Sequence, residues 1–158
     1  MKINEYFIYF ILSILLYFVS IYNYLLFHII IELFAIFVGI GMFVLATNKL
    51  RNENDKAENF YVFLGVMFGG ISIIDFIHTL VYKGMSVIPN LSSNQSIQLW
   101  IIARSFESIV ILVAVMFYNK VRKIKLSEVV FINGFMILFS IVSVFIIRFF
   151  PDCYIDGK

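Results

Sequence analysis

The chain has one cysteine, Cys153, among its 158 residues. An internal disulfide and a CxxC metal or redox motif are therefore excluded. Charge is scarce as well: 14% of residues are Asp, Glu, Lys or Arg, against about a quarter in soluble domains. A net charge of +2 is too small to speak for a nucleic-acid partner. There is no glycine-rich nucleotide-binding loop, no nucleophile elbow and no HExxH helix, so no enzyme chemistry is indicated. Neither end carries a lipidation motif, and no A-x-A-like cleavage site follows the first apolar run. Internal repeats, low-complexity tracts and composition breaks are missing too, so residues 1–158 read as a single domain.

What fills the chain instead is apolar. Hydrophobic residues make up 62%, and mean hydropathy is +0.98. They arrive in long runs, the signature of membrane-spanning helices; a β-barrel would show short alternating segments. The expected fold is all-α, a polytopic membrane helical bundle of about five transmembrane helices. The spans fall at about 6–22, 26–47, 60–81, 97–118 and 129–149. Asn23, in a stretch without charge, suggests a tight hairpin between the first two. Asn48–Asn59 and Asn119–Glu128 read as polar and basic loops, and Tyr82–Ser96 as a loop in which Ser96 caps the next helix. Gly65 and Gly69 have the GxxxG spacing that lets two membrane helices approach closely, with Gly70 next to them and Gly39 and Gly41 in the preceding span.

Lys and Arg in short loops set orientation. Lys49, Arg51 and Lys56 follow the second span, and Lys120, Arg122, Lys123 and Lys125 follow the fourth. The opposite side has Lys83, with Arg148 and Lys158 near the end. This balance puts the N-terminus and both basic loops in the cytoplasm and the C-terminal tail outside.

Six ionisable residues interrupt the apolar runs: His28 and Glu32 in the second span, Asp75 and His78 in the third, Arg104 and Glu107 in the fourth. Each pair has i,i+3 or i,i+4 spacing and so occupies one helix face. At 1.5 Å per residue, all six lie within roughly 3–15 Å of the outer boundary. Trp100 shares the face of Arg104, while Tyr82 and Lys83 sit where the third span exits. A charge at the centre of a membrane helix costs at least ~2.5–3.5 kcal/mol, so these residues are expected to face one another or a wet cavity. Three carboxylates face a single arginine. Protonated histidine, a bound cation or protonated carboxylates can each restore the balance. Interhelical hydrogen bonding alone is the plainest account of any one of them. A metal or haem site is a second, with His28, His78, Glu32 and Asp75 as candidate ligands. No cofactor is specified by any motif.

The blocks DFIHTLVYKGM (Asp75–Met85), HIIIE (His28–Glu32), QLWIIARSFES (Gln98–Ser108) and the terminal FPDCYIDGK resemble the membrane-associated sensor domain of the third type. The resemblance spans nearly the whole chain. It implies the membrane input module of bacterial and archaeal histidine kinases and diguanylate-cyclase-type (GGDEF) proteins, as found in two-component systems. It further implies a multi-pass protein of the prokaryotic cytoplasmic (inner) membrane. Its partners are then the lipid bilayer and, in full-length relatives, a second copy joined through the cytoplasmic output domain. No kinase or cyclase segment is present, and the chain stops where the family domain continues, so a partial sensor domain is expected. The stimulus is not implied.

The leading reading is a sensory input whose cluster His28, Glu32, Asp75, His78, Arg104 and Glu107 binds a small ligand, an ion or a proton, with Trp100, Tyr82 and Lys83 alongside. An ion or proton translocator is the alternative, but the inner halves FAIFVGIGMFVLA, VFLGVMFGG and VILVAVMF offer no polar path. A purely structural helical bundle is the third.

Overall fold

A computed structural model describes residues 2–50, 58–85, 87–88, 92–118 and 125–154. Among them are five α-helices: α1 (Lys2–Tyr22), α2 (Tyr24–Leu50), α3 (Glu58–Val81), α4 (Ser93–Phe117) and α5 (Leu126–Ile141). A π-helical turn, Val142–Ile146, extends α5. The described residues contain no strand. The protein is a helical membrane bundle, as the apolar runs require. In hydrocarbon every backbone N–H and C=O must be satisfied within its own segment, and helices do this. Four helices are long and apolar enough to cross a bilayer; the apolar part of α1, Tyr6–Tyr22, is shorter. Residues 51–57 and 119–124, which fall within the two expected loops and carry Arg51, Lys56, Lys120, Arg122 and Lys123, lie outside the described residues, as do Pro89 and 155–158.

The junctions differ from the sequence expectation in three places. No separate hairpin loop joins α1 to α2. A single non-helical residue, Asn23, joins them, and helical hydrogen bonds continue through it: Asn23 N–H to the Val19 carbonyl (2.8 Å) and Phe27 N–H to the Asn23 carbonyl (3.1 Å). The Asn23 side chain also accepts from Leu26 N–H at 3.0 Å, the N-cap bond of α2. Asn48 and Lys49, read as loop, belong to the last turn of α2, and Glu58 and Asn59 open α3. Helix α4 starts at Ser93, three residues before the expected cap Ser96. Ser92 is the N-cap residue, and Gln95 accepts from its backbone N–H (2.7 Å) and hydroxyl (2.9 Å). The S-x-x-Q spacing carried that start signal.

Helix α3 is the axis of the bundle. It packs on α2, α4 and α5, and 56% of its apolar window is buried, against 17% for α2. Small residues let the neighbours close in. A Cβ on Gly65 would meet the Met42 carbonyl, and one on Gly69 would meet the Phe43 ring, so the GxxxG face of α3 receives α2. Gly70 faces the other way. It leaves room for the side chain of buried Asn133 on α5, which donates to the Val66 carbonyl at 2.5 Å. Val66, Ile71, Ile74, Leu99, Ile102 and Val144 fill the core between these contacts. Outside it the surface is apolar: Tyr9, Phe34, Phe37, Leu112, Phe131 and Phe135 are all exposed. On a water-soluble protein such a surface would aggregate; here it is the face offered to lipid.

The end of α5 reverses the chain. Phe149 N–H bonds back to the Ser143 carbonyl (3.1 Å), with Arg148 between them in the left-handed conformation, φ 52°. The bond reaches one residue further back than the 6→1 bond of a Schellman turn, in keeping with the π-helical turn it follows, and arginine holds the left-handed position where glycine is usual. The turn lays Phe150–Tyr154 back over the start of α4.

Candidate functional site

His78 is 4% exposed on the central helix. Its Nδ1 lies 2.8 Å from the Ser96 carbonyl oxygen of α4. A carbonyl only accepts, so Nδ1 carries the proton and donates. The Ser96 hydroxyl, 3.1 Å from the same nitrogen, is within 3.5 Å of the His78 carbonyl and can place its own proton there. On the neutral ring Nε2 is then a bare lone pair. It has no hydrogen-bond partner, and the nearest carboxylate oxygen, Glu32 Oε1 of α2, stands 4.0 Å away. His28, one turn before Glu32, brings a second buried Nε2 without a partner. Its ring meets His78 edge to face at 5.7 Å between centroids, and Tyr82 packs on it at 4.3 Å. One donor atom from each of His28, Glu32 and His78 can be chosen so that all lie within 4.8 Å of one another.

The other half of the cluster is closed by ion pairs. Arg104 Nη2 is 2.5 Å from Asp75 Oδ2, and Nη1 is 2.5 Å from Glu107 Oε2. The Asp75 side chain is 5% exposed, so the guanidinium is its charge partner in a site largely closed to water. Asp75 is thereby set apart from the donor group: α4 places Arg104 against the carboxylate proposed as a metal ligand. The six residues named from sequence thus converge from α2, α3 and α4, but as two adjoining sets. Asp75, Arg104 and Glu107 are paired, and His28, Glu32 and His78 are not hydrogen-bonded to one another.

The unpaired set opens into a cleft of about 660 Å³ between α2, α3 and α4. Tyr24, Tyr82, Lys83, Trp100 and Tyr154 line it with His28, Glu32 and His78. Trp100, Tyr82 and Lys83 therefore sit at the cleft as a group. The Tyr82 hydroxyl is raised above its ordinary pKa by burial first and by the Tyr24 phenol second, so it stays a neutral donor at physiological pH.

Sequence reasoning did not find what closes one side of this cleft. Asn94 Nδ2 donates to Asp152 Oδ1 (2.8 Å), and Asn94 Oδ1 accepts from the backbone N–H of Cys153 (2.7 Å) and of Tyr154 (3.1 Å). Gln98 Nε2 donates to the carbonyls of Phe150 (3.2 Å) and Pro151 (2.9 Å). The FPDC segment is thus tied to the first turns of α4, and Tyr154 reaches the cleft. The visible signal was the pair of amides, Asn94 and Gln98, four residues apart at a helix start, both able to bond a backbone.

A family model described as a membrane-associated sensor domain (MASE3) matches residues 19–158, which include all six cluster residues and the FPDC segment. No curated protein and no solved structure matches the chain.

Proposed function

The chain belongs to the membrane-associated sensor domain family, and we propose that its stimulus enters at the cleft between α2, α3 and α4. The supporting observation is the pair of buried imidazole nitrogens, His28 Nε2 and His78 Nε2, left without partners beside the Glu32 carboxylate. A buried polar atom without a partner costs about 1–3 kcal/mol, a standing incentive for a ligand that satisfies it. The ion-paired set fixes the geometry: Arg104 ties α4 to α3 through Asp75, and Ser96 sets the His78 ring.

A stimulus that binds here changes the charge and packing between α2 and α3. Helix α3 carries the change inward, because its other half is wedged between α2 at Gly65 and Gly69 and α5 at Gly70. Signalling requires two arrangements of this packing with different affinity for the stimulus. In this reading the module lies in a prokaryotic inner membrane with the basic loops inside. It serves a cytoplasmic output domain of the kinase or diguanylate cyclase class, and the assembled protein dimerises through that output. The sensor domain itself carries no reaction.

The test is the output of a signalling protein that carries this domain. Asp75→Asn removes the charge held by Arg104 and should shift the stimulus midpoint at least tenfold; an unshifted response refutes the reading. The translocator alternative meets its own test in liposomes loaded with a pH or cation dye. The sensor reading requires no flux above protein-free vesicles.

A further inference from the structure

Resting on the sensor reading of the same cleft, we propose that its ligand is a divalent transition-metal ion of the zinc type. His28, Glu32 and His78 hold it, with at least one coordination position open to the cleft. Three donor atoms no more than 4.8 Å apart lie within about 2.8 Å of a common centre (4.8/√3). Zinc bonds to nitrogen and carboxylate oxygen are ~2.0–2.1 Å, so each donor closes in by under an ångström, within the reach of side-chain torsions. Such a donor set, two imidazoles and one carboxylate, suits Zn²⁺ and the neighbouring first-row ions; Mg²⁺ and Ca²⁺ prefer all-oxygen shells.

Three further observations point to a cation. The His78 ring is already oriented as a metal ligand: Nδ1–H is held by the Ser96 carbonyl, and the Nε2 lone pair is aimed at the cluster without a partner. His28 Nε2 is also buried and unpartnered. Glu32, Asp75 and Glu107 outnumber Arg104 three to one at membrane depth, a balance that favours a bound cation. Two ligands come from α2 and one from α3, so metal binding acts directly on the α2–α3 interface.

The experiment is a titration of the purified full chain in lipid nanodiscs with Co²⁺, then competition with Zn²⁺. Two readouts are available: the visible absorption of low-symmetry Co²⁺, and quenching of Trp100, the chain's only tryptophan and a cleft residue. The expected result is saturable 1:1 binding displaced by Zn²⁺, weakened at least tenfold by His28→Gln, His78→Gln and the near-isosteric Glu32→Gln. Ser108→Ala, on the exposed face of α4, should retain it. Circular dichroism and elution profile establish that each variant is folded. Absence of saturable binding, or binding that survives all three ligand substitutions, overturns the metal assignment. The outcomes separate from those of the sensor reading. A chain that binds no metal yet loses stimulus response on Glu32→Gln refutes the metal alone. A chain that binds metal as described but signals normally as Glu32→Gln refutes the sensor reading alone.

Discussion

Replacing Gly65 with alanine adds one carbon to a close backbone contact between α2 and α3. The added Cβ would lie 2.5 Å from the Met42 carbonyl oxygen and 2.6 Å from the Ala46 Cβ, whereas ordinary contact begins at 3.4 Å. Relieving the first contact requires about 0.9 Å of separation (3.4 − 2.5), and the obstructing atom is backbone, which cannot swing aside. Overpacking of this kind costs ~1–3 kcal/mol. Alanine also gains ~1 kcal/mol over glycine in helix propensity, which partly offsets the clash. Gly41→Ala supplies the control. A Cβ there has nothing within 4 Å, so it receives the propensity gain alone. The propensity contributions cancel in the comparison, and Gly65→Ala should be less stable than Gly41→Ala by about 1–3 kcal/mol. Reversible unfolding in mixed micelles, followed by circular dichroism, measures the difference. Equal stability, or a more stable Gly65→Ala, would refute the close approach of α2 on α3 and the small-residue reading of the GxxxG face.

Other consequences follow from the tail and the orientation. Arg148→Gly relieves the left-handed φ of 52° and should stabilise the protein by about 1 kcal/mol in the same unfolding assay. Asn94→Ala removes the bonds to Asp152, Cys153 and Tyr154. It should free the tail, seen as faster alkylation of the Cys153 thiol and a loss of about 1–2 kcal/mol. With the basic loops inside, exposed Cys153 faces outward, so a membrane-impermeant maleimide should label it in intact cells. Labelling confined to inverted vesicles would reverse the assigned orientation.

Much of this architecture can be read from the residues, because a membrane leaves few choices. A long apolar run must be a helix, and ionisable residues at one depth must find one another. The i,i+3 and i,i+4 spacing placed His28 with Glu32, Asp75 with His78 and Arg104 with Glu107 on single faces, and the structure brings those faces together. The division into a paired and an unpaired set was not legible. It depends on helix register and rotamers: Arg104 reaches across to Asp75, while Glu32 stops 4.0 Å from His78. Ser96 was read as a cap because hydroxyls cap helices, yet its decisive atom is a backbone carbonyl, which every residue has. The fold-back of FPDC onto Asn94 and Gln98 joins residues more than 50 positions apart; the two amides signal a backbone partner, but no local pattern says which. The α1–α2 junction misled for a related reason. One asparagine looks like a turn, but it can also accept from Leu26 N–H and stay in line with the helical ladder.

The central claim is that α2 and α3 contribute to one stimulus site, and a double-mutant cycle on signalling output tests it most directly. Glu32→Gln on α2 and His78→Gln on α3 are compared singly and together in a signalling protein carrying the domain, at matched membrane levels. If the two residues serve one site, each change alone shifts the stimulus midpoint at least tenfold and the pair adds little more. Shifts that simply multiply, or a double variant that responds like the wild type, would contradict the account.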